Sequence, residues 1–172
     1  MSDLKELLDF RKSAARPARH GNGEGRDKPT ETEESAEDSC SAFGYVRGLR
    51  ERALSLEVRF RDGNCDWFPY SWLGPYRFNP SVGLLLKFTG DTVILVLIRG
   101  SNLDALVNQS INLTDRGIAR HRILWLREME EEGIRQAGRE QPTIDRIEVA
   151  EFETQDELRA WLKNTAPVFL RQ

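Results

Sequence analysis

LSLEVRFRDGNCDWFPYSWLGPYRFNPSVGLLLKFTGDTVILVLIR, residues 54–99, reads as a run of hairpins. Leu54, Leu56, Val58 and Phe60 alternate with Ser55, Glu57, Arg59 and Arg61, the period of a half-buried strand. Asp62-Gly63 follows, a dipeptide suited to a tight hairpin turn. With those two residues as the turn, Phe60 stands across from Cys65, Arg59 from Asp66 and Val58 from Trp67, and cross-strand partners share a face. A four-residue loop keeps Trp67 on the same side. A three-residue loop setting Phe60 against Asp66 is rejected. Both accepted registers predict Trp67 in the core and Phe68 on the opposite face.

The rest of the stretch keeps to short elements. Pro69 ends or edges its strand, since it has no N–H for a ladder. Residues 70–75 suit a turn or one helical turn, and residues 75–79 a short strand. Asn79-Pro80-Ser81 and Thr89-Gly90-Asp91 are turn signals flanking a strand over Leu84–Phe88. Thr92–Arg99 is apolar at successive positions, which predicts a central strand covered on both faces.

C-terminal of this stretch, Ser101 and Asn102 are placed to cap a helix through Gln109, with Leu103, Leu106 and Val107 on one side. Residues 112–117 read as a loop. A helix over residues 114–132 matches Ile118, Arg122, Trp125 and Met129, but Gly117 and the brevity of the apolar run favour a strand within residues 120–127. Residues 128–142 are acidic and then loop-like, and residues 144–152 form a last strand. Thr154 and Glu157 have the capping-box spacing of a short helix carrying Leu158, Trp161 and Leu162, which Pro167 stops.

N-terminal of it, composition changes. Residues 11–42 contain no Val, Ile, Leu, Met, Phe, Tyr or Trp, and a stretch so polar and charged cannot offset the entropy of ordering. The expected organisation is a short amphipathic helix at 1–15 with Leu4, Leu7 and Leu8, a disordered polar linker at 16–44, one domain at 45–165 and a tail at 166–172. A doubly wound parallel sheet would need helices between the strands of residues 54–99, and there is no room for them. The expected class is therefore α+β: a mostly antiparallel sheet, rolled or partly closed into a small barrel, under one or two helices.

Charge follows the same division. Residues 1–44 hold 7 Lys and Arg against 10 Asp and Glu, whereas residues 45–172 hold 18 of each. A balanced domain has no global field for nucleic acid, so such binding would need a local patch. Met1–Glu6 is charged rather than apolar, and the longest apolar run, Val93–Ile98, is six residues. These features predict a cytoplasmic protein away from membranes. Cys40 and Cys65 make no disulfide framework or metal spacing. Gly21, Gly23 and Gly25 follow no strand, so they are no phosphate loop. No cofactor, metal or catalytic residue is expected. The stretch from Val58 to Leu73 resembles a hairpin shared by many small bacterial domains, a turn signature that implies no function.

Three constellations remain. Trp67, Phe68, Tyr70, Trp72, Tyr76 and Phe78 lie close together with Arg59, Arg61 and Arg77. Such rings serve a core, or they stack on bases beside arginines; Phe68 and Tyr70 are then the rings expected at the surface. Arg120 and Arg122 would share one strand face and could grip a phosphate or carboxylate, or serve as a solvated edge. His121 could pair with Cys65, although a core thiol is normally inert. The leading expectation is a non-enzymatic interaction or regulatory domain that binds a protein partner or itself. The alternatives are a single-stranded nucleic-acid binder using Phe68, Tyr70, Arg59, Arg120 and Arg122, and an enzyme with a pocket around His121.

Overall fold

The computed structural model describes residues 37–170, which form an α+β fold of two mostly antiparallel sheets and two α-helices. The expectations for residues 1–36 lie outside the described residues. The strands are β1 (Glu37–Ser39), β2 (Phe43–Val46), β3 (Ser55–Arg59), β4 (Cys65–Pro69), β5 (Arg77–Asn79), β6 (Gly83–Thr89), β7 (Val93–Ser101), β8 (Ile123–Arg127) and β9 (Thr143–Phe152). The helices are α1 (Glu131–Gln136) and α2 (Gln155–Thr165). One sheet has the order β1-β2-β8-β3-β4 and the other β5-β6-β7-β9. Neither closes into a barrel. The one parallel pairing sets β3 beside β8.

The layers follow from strand parity. Leu84, Leu86 and Phe88 of β6 and Val96 and Ile98 of β7 face Leu56, Val58 and Phe68 of the five-stranded sheet, making the main core between the sheets. Phe68 stacks on Phe88 across this layer, with centroids 4.9 Å apart. The alternate residues Leu85, Leu95 and Leu97 face the other way, onto Leu158, Leu162, Ala166 and Phe169 of α2 and the turn after it. The two-faced apolar run of β7 thus has a cause: it is central, buried by a sheet on one side and a helix on the other. The Thr154–Glu157 capping box is formed, and α2 starts where its spacing predicts.

Several sequence expectations are corrected. The hairpin loop has three residues, Arg61–Gly63: Phe60 N–H donates to Asn64 O at 2.9 Å, and Val58 pairs with Asp66. Gly63 takes φ +91°, and Asp62 Oδ1 accepts from Asn64 N–H, the Gly-closed geometry of a three-residue turn. Trp67 therefore faces out and Phe68 in. Residues 102–109 are not a helix, because Asn102, Asn108 and Gln109 adopt positive φ and the segment folds into turns that still bury Leu103 and Val107. Arg120 and Arg122 do not share a strand. A 3-10 turn ends at Arg120, His121 is left-handed at φ +53°, and β8 starts at Ile123. Residues 131–136 form the short helix α1 where a loop was expected. Strand pairing begins at Glu37, before the expected boundary, because polar β1 pairs through its backbone and gives no apolar signal. The tail is packed as far as buried Phe169.

Candidate functional site

The two sheets bury each other and α2 covers the far side of the four-stranded one, so the outer face of the five-stranded sheet is left. Among the described residues neither helix packs over it. Its residues are set by register: Glu57 pairs with Trp67 on β4 and with Trp125 on β8, and Arg59 with Cys65 and Arg127. A mixed row of two tryptophans, two arginines, Glu57 and Cys65 runs across β4, β3 and β8.

The row is built around Trp125. Its ring lies over Gly44 of β2, where a Cβ would run into the indole. Its Nε1–H donates to Glu37 Oε1 at 2.8 Å. The Arg59 guanidinium sits 4.5 Å from the Trp125 ring centroid and Arg127 at 5.4 Å, both within cation–π range. Arg59 Nη2 also donates to Glu57 at 2.8 Å, and that bond holds the Glu57 carboxyl below its ordinary range while raising Arg59. Trp67 beside this cluster is 61% exposed and Leu54 is 90% exposed. Both line a cleft of about 580 Å³ that also takes in Glu37, Arg52, Glu57, Arg59 and Trp125. With Glu51 included, two cations and three carboxylates line it, so the cleft has no positive surplus.

Of the five residues expected to form a binding surface, Phe68, Tyr70, Arg59, Arg120 and Arg122, only Arg59 belongs to this face. Phe68 and Tyr70 are 6% and 3% exposed and are core residues, which corrects their expected place at the surface. The physical reason is the loop length, which inverts the parity of β4. Tyr70 O–H donates to Ile123 O at 2.8 Å, and its ring stacks on His121 at 4.6 Å. Arg122 is 3% exposed; its Nη2 donates to Val46 O at 2.9 Å and Arg47 O at 3.0 Å, and its Nε has no partner among the described residues. It pins the end of β2 and cannot reach a phosphate. Arg120 is exposed, and its carbonyl accepts from Arg52.

Cys65, considered with His121 for the enzyme alternative, pairs with Arg59 at the end of β3, whereas the His121 carbonyl accepts from Ala53 N–H ahead of its start. Cys65 lies on the outer face, where desolvation and the Glu57 carboxylate push its thiol up, away from a reactive thiolate. The stacked ring of His121 is pushed below its ordinary value by burial and then by the Arg52 charge. Among the described residues no His, Cys, Asp and Glu cluster could hold a metal ion.

Trp67 and Trp125 are what sequence reasoning missed. One signal was present: Asp62 and Asn64 flank Gly63, the composition of an Asp-stabilised loop with Gly at its left-handed position. No protein-family model matches the chain, and no curated protein and no solved structure is significantly similar to it.

Proposed function

We propose that the chain is a non-enzymatic protein-interaction domain that docks a protein partner on the outer face of its five-stranded sheet. The observation that carries this reading is the exposure of Trp67 and Leu54 beside the cleft, on the one sheet face no helix covers among the described residues. Large apolar side chains exposed together mark interaction surfaces, and Trp and Arg are the residues that most often carry binding energy there. The paired Glu57–Arg59 and the Glu37–Trp125 bond supply a polar surround already satisfied without the partner. A balanced cleft suits a protein surface better than a polyanion.

The test replaces Trp67 with a photo-crosslinking residue in the native host, with exposed Glu140, in the loop between α1 and β9, as the control position. A discrete adduct from position 67 and none from position 140 is the expected result. Trp67→Ala should then weaken binding of the purified adduct partner by about thirtyfold, the size of a single hot-spot loss. If the adduct is a second copy of the chain, light scattering should show a dimer that Trp67→Ala converts to monomer. Identical adduct patterns at both positions would remove the proposal. An unstructured oligonucleotide titrated at low salt, where phosphate contacts are strongest, should leave the tryptophan fluorescence unchanged.

A further inference from the structure

A second cavity lies on the opposite side of the molecule, between α2 and the four-stranded sheet. The sheet register fixes what it contains. Arg77 of β5 pairs with Leu85 of β6, and Lys87 of β6 pairs with Leu95 of β7, so two leucines and two cations share the face that α2 partly covers. Helix α2 seats Leu158 and Leu162 on that face, and buried Phe169 closes one end. The result is a cavity of about 290 Å³ with an apolar floor and Arg77, Lys87 and Arg159 around it.

Its electrostatics are one-sided. Among the described residues no Asp or Glu lines it. The ion pairs among those residues use Arg47, Arg59, Arg61, Arg99, Arg135 and Arg146, and none of the three cations at this cavity. Arg77 Nη1 donates to the carbonyl of Phe169, which fixes that guanidinium at the wall. In a domain whose charges balance overall, three cations gathered over an apolar floor without a carboxylate are complementary to a molecule with an anionic head and an apolar tail.

We propose that this cavity binds a small amphipathic carboxylate, with the tail against Leu85, Leu95, Leu158 and Leu162 and the head held by Lys87 and Arg77. The volume stands at the small end of ligand pockets, which span about 300–1,000 Å³, and so selects a tail of about eight carbons. The site is separate from the outer face proposed for protein docking, and either can fail without the other.

The full chain is titrated with octanoate and with 1-octanol, followed by amide and methyl chemical shifts. Octanoate should give saturable shifts concentrated on β6, β7 and α2, and octanol should bind at least about tenfold more weakly, the loss of one charge-assisted contact. Lys87→Gln, at a half-buried position whose backbone carbonyl accepts from Gly74 N–H but whose side chain makes no hydrogen bond among the described residues, should weaken octanoate by about tenfold and leave octanol unchanged. Hexanoate should bind more weakly than octanoate by roughly threefold or more per methylene removed. Equal binding of octanoate and octanol, no response to Lys87→Gln, or saturable shifts centred on another part of the fold would each overturn the proposal, as would the absence of saturable shifts at millimolar octanoate.

Discussion

Tyr70 carries a hydroxyl into the core and satisfies it there. The ring is buried, burial pushes the phenol well above its ordinary range, and the O–H donates to Ile123 O at the start of β8. Tyr70→Phe keeps the shape and removes that donor, so it should lower the unfolding free energy by about 1 kcal/mol, read from the urea midpoint. Partner binding at Trp67 should not change, because the ring never reaches the surface; a binding loss without a stability loss would show that Tyr70 is a contact residue after all. Gly44 is the second residue whose identity has a single cause. The Trp125 indole occupies the space of its missing side chain, and Gly44→Ala must displace the ring that holds Glu37 and stacks under Arg59. The expected cost is about 1–3 kcal/mol, the range for overpacking a fitted site. A neutral Gly44→Ala would mean that Trp125 has free room to move, and the cluster around it would not be a fixed surface.

Elements with a redundant signal were legible, and elements with a symmetric one were not. Strand β7 has apolar residues at both parities, so its central position is independent of register. Helix α2 declares its start through Thr154 and Glu157 and its seat through Leu158 and Leu162. Strand β4 offers Trp67 to one face and Phe68 to the other, and only the loop decides between them. One residue of loop length exchanges every side chain between faces. That single uncertainty moved Phe68 into the core and Trp67 out of it, while the antiparallel hairpin itself was unaffected. The candidate face was therefore missed although the strands that carry it were found. The parallel pairing of β3 with β8 joins segments far apart in sequence, and no local pattern announces it. The capping box also makes a quantitative expectation at this scale. Thr154→Ala removes the acceptor for Glu157 N–H and should cost about 1 kcal/mol. Hydrogen exchange should place that loss first in α2, the only described element the cap supports; uniform acceleration across both sheets would show that α2 and the sheets open as one unit.

Across the described residues, the perturbed groups fall into two sets that act at opposite ends of the pH scale. Asp38 is held below its ordinary value of 3.8 by Ser39 N–H, Glu57 below 4.5 by Arg59, and Asp115 below 3.8 by the Asn112 amide. His121 is held below 6.5 by burial and then by Arg52. In each case the unfolded chain binds the proton more readily than the folded one. The stabilisation is therefore present above the ordinary value and is lost as pH falls through the lowered one. Cys40 is raised above 9.0 by burial and Tyr45 above 10.0 by burial, so the folded state prefers their neutral forms. Their contribution is complete below those values and is lost as pH rises past the raised ones. The two sets together predict a stability plateau between about pH 7 and pH 9, with a first decline from His121 just below it and a second from the carboxylates below about pH 4. Urea midpoints taken through that range test the order of events. His121→Gln should abolish the first decline and keep the second. A midpoint that rises on acidification from neutral pH would mean that the stacked imidazole prefers to be charged, against the direction that its burial and the Arg52 charge give.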